Sequence, residues 1–133
     1  MKFPPNIPVY GDTTYRGPCP PENAEQVTAI SEIRRRWPDT YGRLVLHPEN
    51  EGRRTWGQAE WAKAGGLTSG ASDIIIPCGF VCELKRRDHT KSKWQDGQQD
   101  YLQAAQDAGC FVAVALGWEA ALEAVDAWIS AKA

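Results

Sequence analysis

Asp73, Glu83 and Lys85 are the residues whose types and spacing carry chemistry. They lie on two strand-like runs, Asp73-Ile74-Ile75-Ile76 and Phe80-Val81-Cys82-Glu83-Leu84-Lys85, separated by Pro77-Cys78-Gly79, which suits a tight antiparallel hairpin. Such a hairpin returns the end of its second strand to the start of its first. Because neighbouring strands lie about 4.8 Å apart, the carboxyls of Asp73 and Glu83 come within reach of one cation. Glu83 and Lys85 are two positions apart and share a face, whereas Leu84 points the other way. Two carboxylates are hard oxygen donors of the kind Mg2+ takes. An ammonium beside them can orient or deprotonate an attacking water and steady charge developing on a phosphate. The chemistry implied is phosphodiester hydrolysis. The same Glu-x-Lys spacing also serves as an edge-strand charge pair that blunts a sheet edge, so the surrounding elements must discriminate.

Those elements follow from apolar periodicity. Residues 1–21 hold six of the nine prolines and read as an extended arm, with residues 22–133 as a single domain. Pro21 suits the first position of a helix that runs from Glu22 to Trp37, with Val27, Ile30, Ile33 and Trp37 at helical spacing, and Pro38 stops it. Arg43 to His47 reads as a short strand with Leu44, Val45 and Leu46 buried, followed by a loop over His47 to Gly52. Thr55 caps a short helix through Lys63 that Gly65-Gly66 ends. After the hairpin, Lys93 to Ala108 is helical and stops at Gly109; Cys110 to Leu116 is a continuous apolar strand. Trp118 to Ser130 is an amphipathic helix. The order predicts an α/β fold, a mixed central sheet flanked by helices.

The composition, 42% hydrophobic and 24% charged, is ordinary for a soluble globular domain, and no apolar run approaches the roughly 20 residues of a membrane helix. No membrane association is expected, and without a secretory signal pattern at the N-terminus the expected location is cytoplasmic. Cys19, Cys78, Cys82 and Cys110 form no Cys-x-x-Cys pair, which speaks against zinc. A net charge of −2 argues weakly against a nucleic-acid partner. The positive charge is nevertheless gathered, in Arg34-Arg35-Arg36, in Arg53-Arg54, and in the run containing Lys85, Arg86, Arg87, Lys91 and Lys93. Each such cluster alone is a solvated face as readily as a phosphate site; three around one candidate site favour the phosphate reading.

Gly70-Ala71-Ser72-Asp73-Ile74-Ile75-Ile76, then Glu83-Leu84-Lys85, then Gln98-Gln99-Asp100-Tyr101 resembles the PD-(D/E)XK nuclease superfamily, specifically its VRR-NUC branch. The resemblance covers residues of about 22 to 130 and includes the Gly-rich approach from Gly66 to Gly70. Ser72 stands where the superfamily name has proline, a difference of backbone shape that removes no ligand. The resemblance implies a restriction-endonuclease-like αβββαβ core in a compact, phage-like endonuclease, dependent on Mg2+ (or Mn2+), acting on DNA in the cytoplasm of a bacterial or phage-infected cell. Branched or flapped DNA are candidate substrates, and a homodimer is expected. Asp73 and Glu83 would bind the metal with the Leu84 carbonyl, Lys85 would be the catalytic lysine, and Gln98 and Tyr101 would match the family's helix positions. Tyr101 joins Arg53, Arg54, Arg86, Arg87, Lys91 and Lys93 as expected nucleic-acid contacts. The family's first-helix glutamate is Glu22 or Glu25. A wheel at 100° per residue sets Glu22 with Gln26, Ala29, Ile33 and Trp37 and sends Glu25 to the edge, which favours Glu22.

Two other functions fit parts of the sequence. A non-catalytic DNA-binding module would use the basic clusters alone, but close carboxylates without a cation would repel phosphate. An interaction protein would use Trp56, Trp61, Trp94, Trp118 and Trp128 as a partner surface, although tryptophans more often belong to the partly buried core.

Overall fold

Alternation along two strands sorts this molecule into layers. The computed structural model describes residues 1–48, 56–66 and 68–132. Its elements are β1 (Val9–Tyr10), α1 (Glu22–Arg36), α2 (Tyr41–Leu44), α3 (Trp56–Ala64), β2 (Ile74–Ile76), β3 (Phe80–Lys85), a 3-10 turn at His89–Lys91, α4 (Gln98–Asp107), β4 (Phe111–Leu116) and α5 (Trp118–Lys132). Phe80, Cys82 and Leu84 of β3, with Ala113 and Ala115 of β4, pack beneath Ala29 and Ile33 of α1 and Ala121, Val125 and Trp128 of α5. The intervening positions, Val81, Val112, Val114 and Leu116, face Leu102 of α4 and Ile7 of the arm. Fully burying a side chain such as Leu84 or Leu102 contributes roughly 2 kcal/mol of apolar transfer. Glu83 and Lys85 occupy the α4 face of the same strand and gain none of it.

The four strands form one mixed sheet in the order β1-β4-β3-β2. β4 is parallel to both β1 and β3, and β2 is antiparallel to β3. The continuous apolar run of β4 is explained by this central place, with a helix layer on each side. The hairpin turn is held by Gly79 N–H donating to Ile76 O at 3.3 Å, with Pro77 and Cys78 as its central residues. Cys78 has φ 90°, the left-handed value a type II turn demands at its third position.

Four expectations change. Arg43 to His47 is not a strand: Tyr41–Leu44 is one helical turn, closed by Val45 N–H on Tyr41 O at 2.9 Å. The chain can fold back this tightly because residue 42 is glycine, where a Cβ would lie 2.5 Å from Trp37 O. Of the apolar triplet only Val45 is buried; Leu44 and Leu46 are each 43% exposed, and the strand survives as a single bridge from Leu46 to Ile75. Val27, assigned to the apolar stripe of α1, is 63% exposed, while Glu25 is buried in that stripe with Ala29 and Ile33. The helix expected from Lys93 starts at Gln98, after Gly97 turns the chain at φ 86°. Residues 1–21 also supply β1 and the buried Ile7, so this segment completes the sheet edge and one core. Thr55 lies outside the described residues. No described helix is long and apolar enough to cross a membrane.

Candidate active site

The register Ile74↔Cys82 puts the next residues outward, Asp73 and Glu83, opposite one another where β2 ends and β3 continues. Here β3 loses its antiparallel partner. The Asp73 carboxylate takes over that partner's place, with Oδ2 accepting from Leu84 N–H at 2.9 Å. Lys85 O turns toward β4, accepting from Gly117 N–H, so alternation points both backbone groups of Leu84 to the Asp73 side. The Leu84 carbonyl therefore opens beside the two carboxyls. His47 Nδ1 lies 2.7 Å from Asp73 O, which fixes the backbone at this point from the loop after the Leu46 bridge.

Glu83 and Lys85 are each 1% exposed, and Gln98 at the start of α4 joins them. Lys85 Nζ donates to Gln98 Oε1 at 2.9 Å, and Gln98 Nε2 donates to Glu83 Oε1 at 3.0 Å. Gln98 Oε1 also accepts from Gln95 N–H at 2.8 Å, so two donors define which end of the amide is oxygen. Lys85 Nζ donates further to Lys93 O at 2.9 Å, stands 3.9 Å from Glu83 Oε1, and lies 4.8 Å from the centre of the Trp94 ring. Its ammonium is thus held by two neutral oxygens, one buried carboxylate and an indole face. Gly70 makes this junction possible, because a Cβ there would stand 2.2 Å from the Gly97 carbonyl carbon and 2.7 Å from Gln98 N.

Burial pushes the Glu83 carboxyl well above its ordinary value. The Asp73 charge and a shared hydrogen bond with Asp73 push the same way, Lys85 opposes them, and Glu22 adds a smaller upward push. Glu83 Oε2 is buried, and no group among the described residues donates to it. A buried carboxyl opposite a second carboxyl, with the Leu84 carbonyl turned to the same side, suits a divalent cation. The donor set is all oxygen, and Mg2+ is commonly bound through one or two carboxylates while it keeps several waters. Among the described residues no three His, Cys, Asp or Glu side chains stand together at ligating spacing. Asp73 and Glu83 are the carboxylates that the hairpin itself supplies.

The two first-helix acids separate clearly. Glu22 Oε1 accepts from Ser92 Oγ at 2.8 Å, in the loop that follows β3, and its charge reaches Glu83. Glu25 is directed elsewhere. Its Oε2 accepts from Trp118 N–H at 2.6 Å, at the start of α5, with Arg87 Nε 3.5 Å away. The wheel assigned the wrong burial to Glu25, which is 2% exposed. What it lacked was the distant partner, Trp118 N–H.

The basic run is largely occupied by the chain's own carbonyls and carboxylates. Arg86 donates to Cys19 O at 2.6 Å and Pro20 O at 3.2 Å, Lys91 donates to Gly17 O at 2.8 Å, and Arg87 pairs with Glu119 at 2.9 Å. The Lys93 side chain is exposed, although its backbone oxygen holds Lys85. Tyr101 lines an apolar groove with Ile75, Val81 and Cys110 at the turn end of the hairpin, away from Lys85. Arg53 and Arg54 lie outside the described residues. Sequence reasoning missed His47, Ser92 and Trp94, whose roles depend on long-range contacts. Only Asp88 left a local signal, Asp-x-Thr: its carboxylate caps the 3-10 turn through Thr90 N–H at 3.1 Å. Gly17 N–H also bonds Asp88, which lowers its carboxyl to about 2, chiefly through Thr90.

Comparison with known proteins bears on the fold. A solved structure described as a "VRR_NUC domain protein" superposes with a TM-score of 0.65 over 87% of this chain and 92% of its own, at 16% identity. The chain has a VRR-NUC fold. Neither a protein-family profile nor a curated protein sequence matches it. At that identity the likeness concerns the VRR-NUC backbone, and the site must be argued from its own atoms.

Proposed function

We propose that this protein is a Mg2+- or Mn2+-dependent endonuclease that hydrolyses phosphodiester bonds in DNA, with branched or flapped forms as candidate substrates. One observation carries the reading: a buried Glu83–Gln98–Lys85 chain beside Asp73, with a Glu83 oxygen that has no donor among the described residues. A buried ion pair is a poor source of stability, so its place on the strand calls for a chemical reason. Asp73, Glu83 and the Leu84 carbonyl would hold the cation, with Glu22 as the first-helix acid beside them. When bound, the cation supplies charge neutralisation at the phosphate and a more acidic water. The protein's own groups do the rest. Lys85 has three N–H donors, of which Lys93 O and Gln98 Oε1 take two; the third, near Glu83 Oε1 at 3.9 Å, would turn to the attacking water or a phosphate oxygen. Gln98 fixes Glu83 and Lys85 relative to each other, and the hydrogen bond from Leu84 N–H fixes Asp73.

The test is cleavage of plasmid, branched and flapped DNA with Mg2+ or Mn2+, comparing the native protein with Asp73→Ala and Lys85→Ala. Cleavage by the native protein alone is expected; equal products from all three would sink the assignment. DNA binding that ignores Mg2+ and survives neutralisation of Asp73 would instead identify a binding module. A homodimer accompanies this reading, and light scattering at the mass of one 14.7 kDa chain would remove it.

A further inference from the structure

A second concavity adjoins the Lys85 site. Its volume is about 600 Å³, and its walls are Met1, Lys2, Phe3, Pro4 and Pro5 from the arm and Ser92, Lys93, Trp94 and Gln99 from the segment after β3. Four links tie it to the site. Trp94 lies over Lys85 Nζ, Lys93 O accepts from that same Nζ, Ser92 Oγ bonds Glu22, and Gln99 follows Gln98 in sequence. The arm is fastened here by Trp94 Nε1–H donating to Lys2 O at 2.7 Å. Trp94 is half-buried, Lys2, Lys93 and Gln99 are exposed, and among the described residues no lining side chain is a carboxylate.

We infer that this concavity seats an unpaired nucleobase of the DNA strand whose phosphate lies at Lys85. The inference rests on the nuclease reading and adds where the substrate must leave the duplex. Aromatic and proline surfaces offer the flat apolar contact that a base seeks, and stacking on an aromatic contributes about 1–3 kcal/mol per base without demanding a sequence. Lys2 and Lys93 stand where flanking phosphates would run, and the Gln99 amide can reach a base edge. A paired base cannot enter, because its faces are covered by its neighbours. The pocket therefore selects substrates with an unpaired nucleotide beside the scissile phosphate.

Binding without turnover tests this directly, in Asp73→Ala protein with EDTA at low salt. Duplexes carrying 2-aminopurine either unpaired or paired, at successive positions around a junction, are titrated with this protein and with added Trp94→Ala, Trp94→Phe or Phe3→Ala. Expected is quenching at one or two unpaired positions, retained by Trp94→Phe and lost by Trp94→Ala. The preference for unpaired over fully paired DNA should fall about 10-fold in Trp94→Ala and less in Phe3→Ala, which does not touch Lys85. No quenching at saturation, or equal weakening toward paired and unpaired DNA, overturns the inference. A native protein that binds and quenches but never cleaves would sink the nuclease reading alone. One that cleaves paired and unpaired DNA equally well, without quenching, would sink only this proposal.

Discussion

Two buried glutamates sit on opposite sides of this sheet, each beside a cation, and only one has the electrostatics of a reactive site. Glu25 is 2% exposed, and its Oε2 receives Trp118 N–H at the first turn of α5, where the helix dipole also favours a negative charge. Arg87 stands beside it, paired in turn with Glu119. Glu83 is equally buried, but it faces Asp73, leaves Oε2 without a donor among the described residues, and is driven toward its protonated form by burial. The first glutamate has a backbone donor and an arginine 3.5 Å away. The second is satisfied only in part: Gln98 and Lys85 meet Oε1, and the Asp73 charge opposes its own. Burial of an acid is thus uninformative until its donors are counted.

Glu83→Gln breaks the comparison most strongly, because it should move activity and stability in opposite directions. Cleavage should fall on the order of 10³-fold, the scale of removing one well-placed electrostatic group. The metal-free protein should become more stable. Between the ordinary value of 4.5 and the raised value in the fold, folded Glu83 holds a proton that the unfolded chain releases. Stability therefore falls as pH rises through that window, and Gln cannot contribute to that fall. Melting curves of both proteins in EDTA from pH 4 upward, together with single-turnover cleavage, check it. A variant that melts lower than its parent at neutral pH would show Glu83 to be structural.

Glu25→Ala should do the reverse. It leaves Trp118 N–H without its buried acceptor and Arg87 without the charge beside it, a loss of about 3 kcal/mol in urea unfolding. The remaining folded protein should cleave at nearly the native rate. If its kcat falls as far as that of Glu83→Gln, the two clusters are one site and the contrast between them dissolves.

Gly70→Ala sharpens the comparison from a distance. A Cβ at residue 70 meets Gly97 and the Gln98 backbone, so α4 must shift at its first turn and carry the Gln98 side chain with it. Overpacking of this kind costs about 2 kcal/mol, and displacement of a positioning group by about 1 Å costs on the order of 10²-fold in rate. The Glu25 cluster, on the other face, should be untouched. Cleavage assays on Gly70→Ala, with Gly66→Ala as a control whose added Cβ meets open space, separate this from general loss of the loop.

The hairpin was legible in the sequence because its determinants are local: two apolar runs, a turn with proline at its second position, and a spacing of two between Glu83 and Lys85. The strand expected at residues 43–47 failed for the opposite reason. Leu44, Val45 and Leu46 look like a buried run, yet Gly42 against Trp37 O folds that stretch into a turn, a contact that no periodicity encodes. The basic run misled in the same way. Arg86 and Lys91 are spent on the carbonyls of Cys19, Pro20 and Gly17, and any residue type could supply those carbonyls. Gln98 was visible through resemblance; its link between Glu83 and Lys85 became visible only when α4 met β3.

Glu119→Ala is expected to change least, and it measures what holds the Glu25 cluster together. Arg87–Glu119 is the shortest ion pair there at 2.9 Å, but Glu119 is 60% exposed, and exposed pairs contribute about 0–1 kcal/mol. If the cluster depends on the bond from Trp118 N–H to Glu25, removing Glu119 should shift unfolding by less than about 0.5 kcal/mol, and salt should erase even that. A loss approaching that of Glu25→Ala would mean that Arg87, drawn by Glu119, is what neutralises Glu25. Glu25 and Glu83 would then differ by the presence of one arginine rather than by the count of donors.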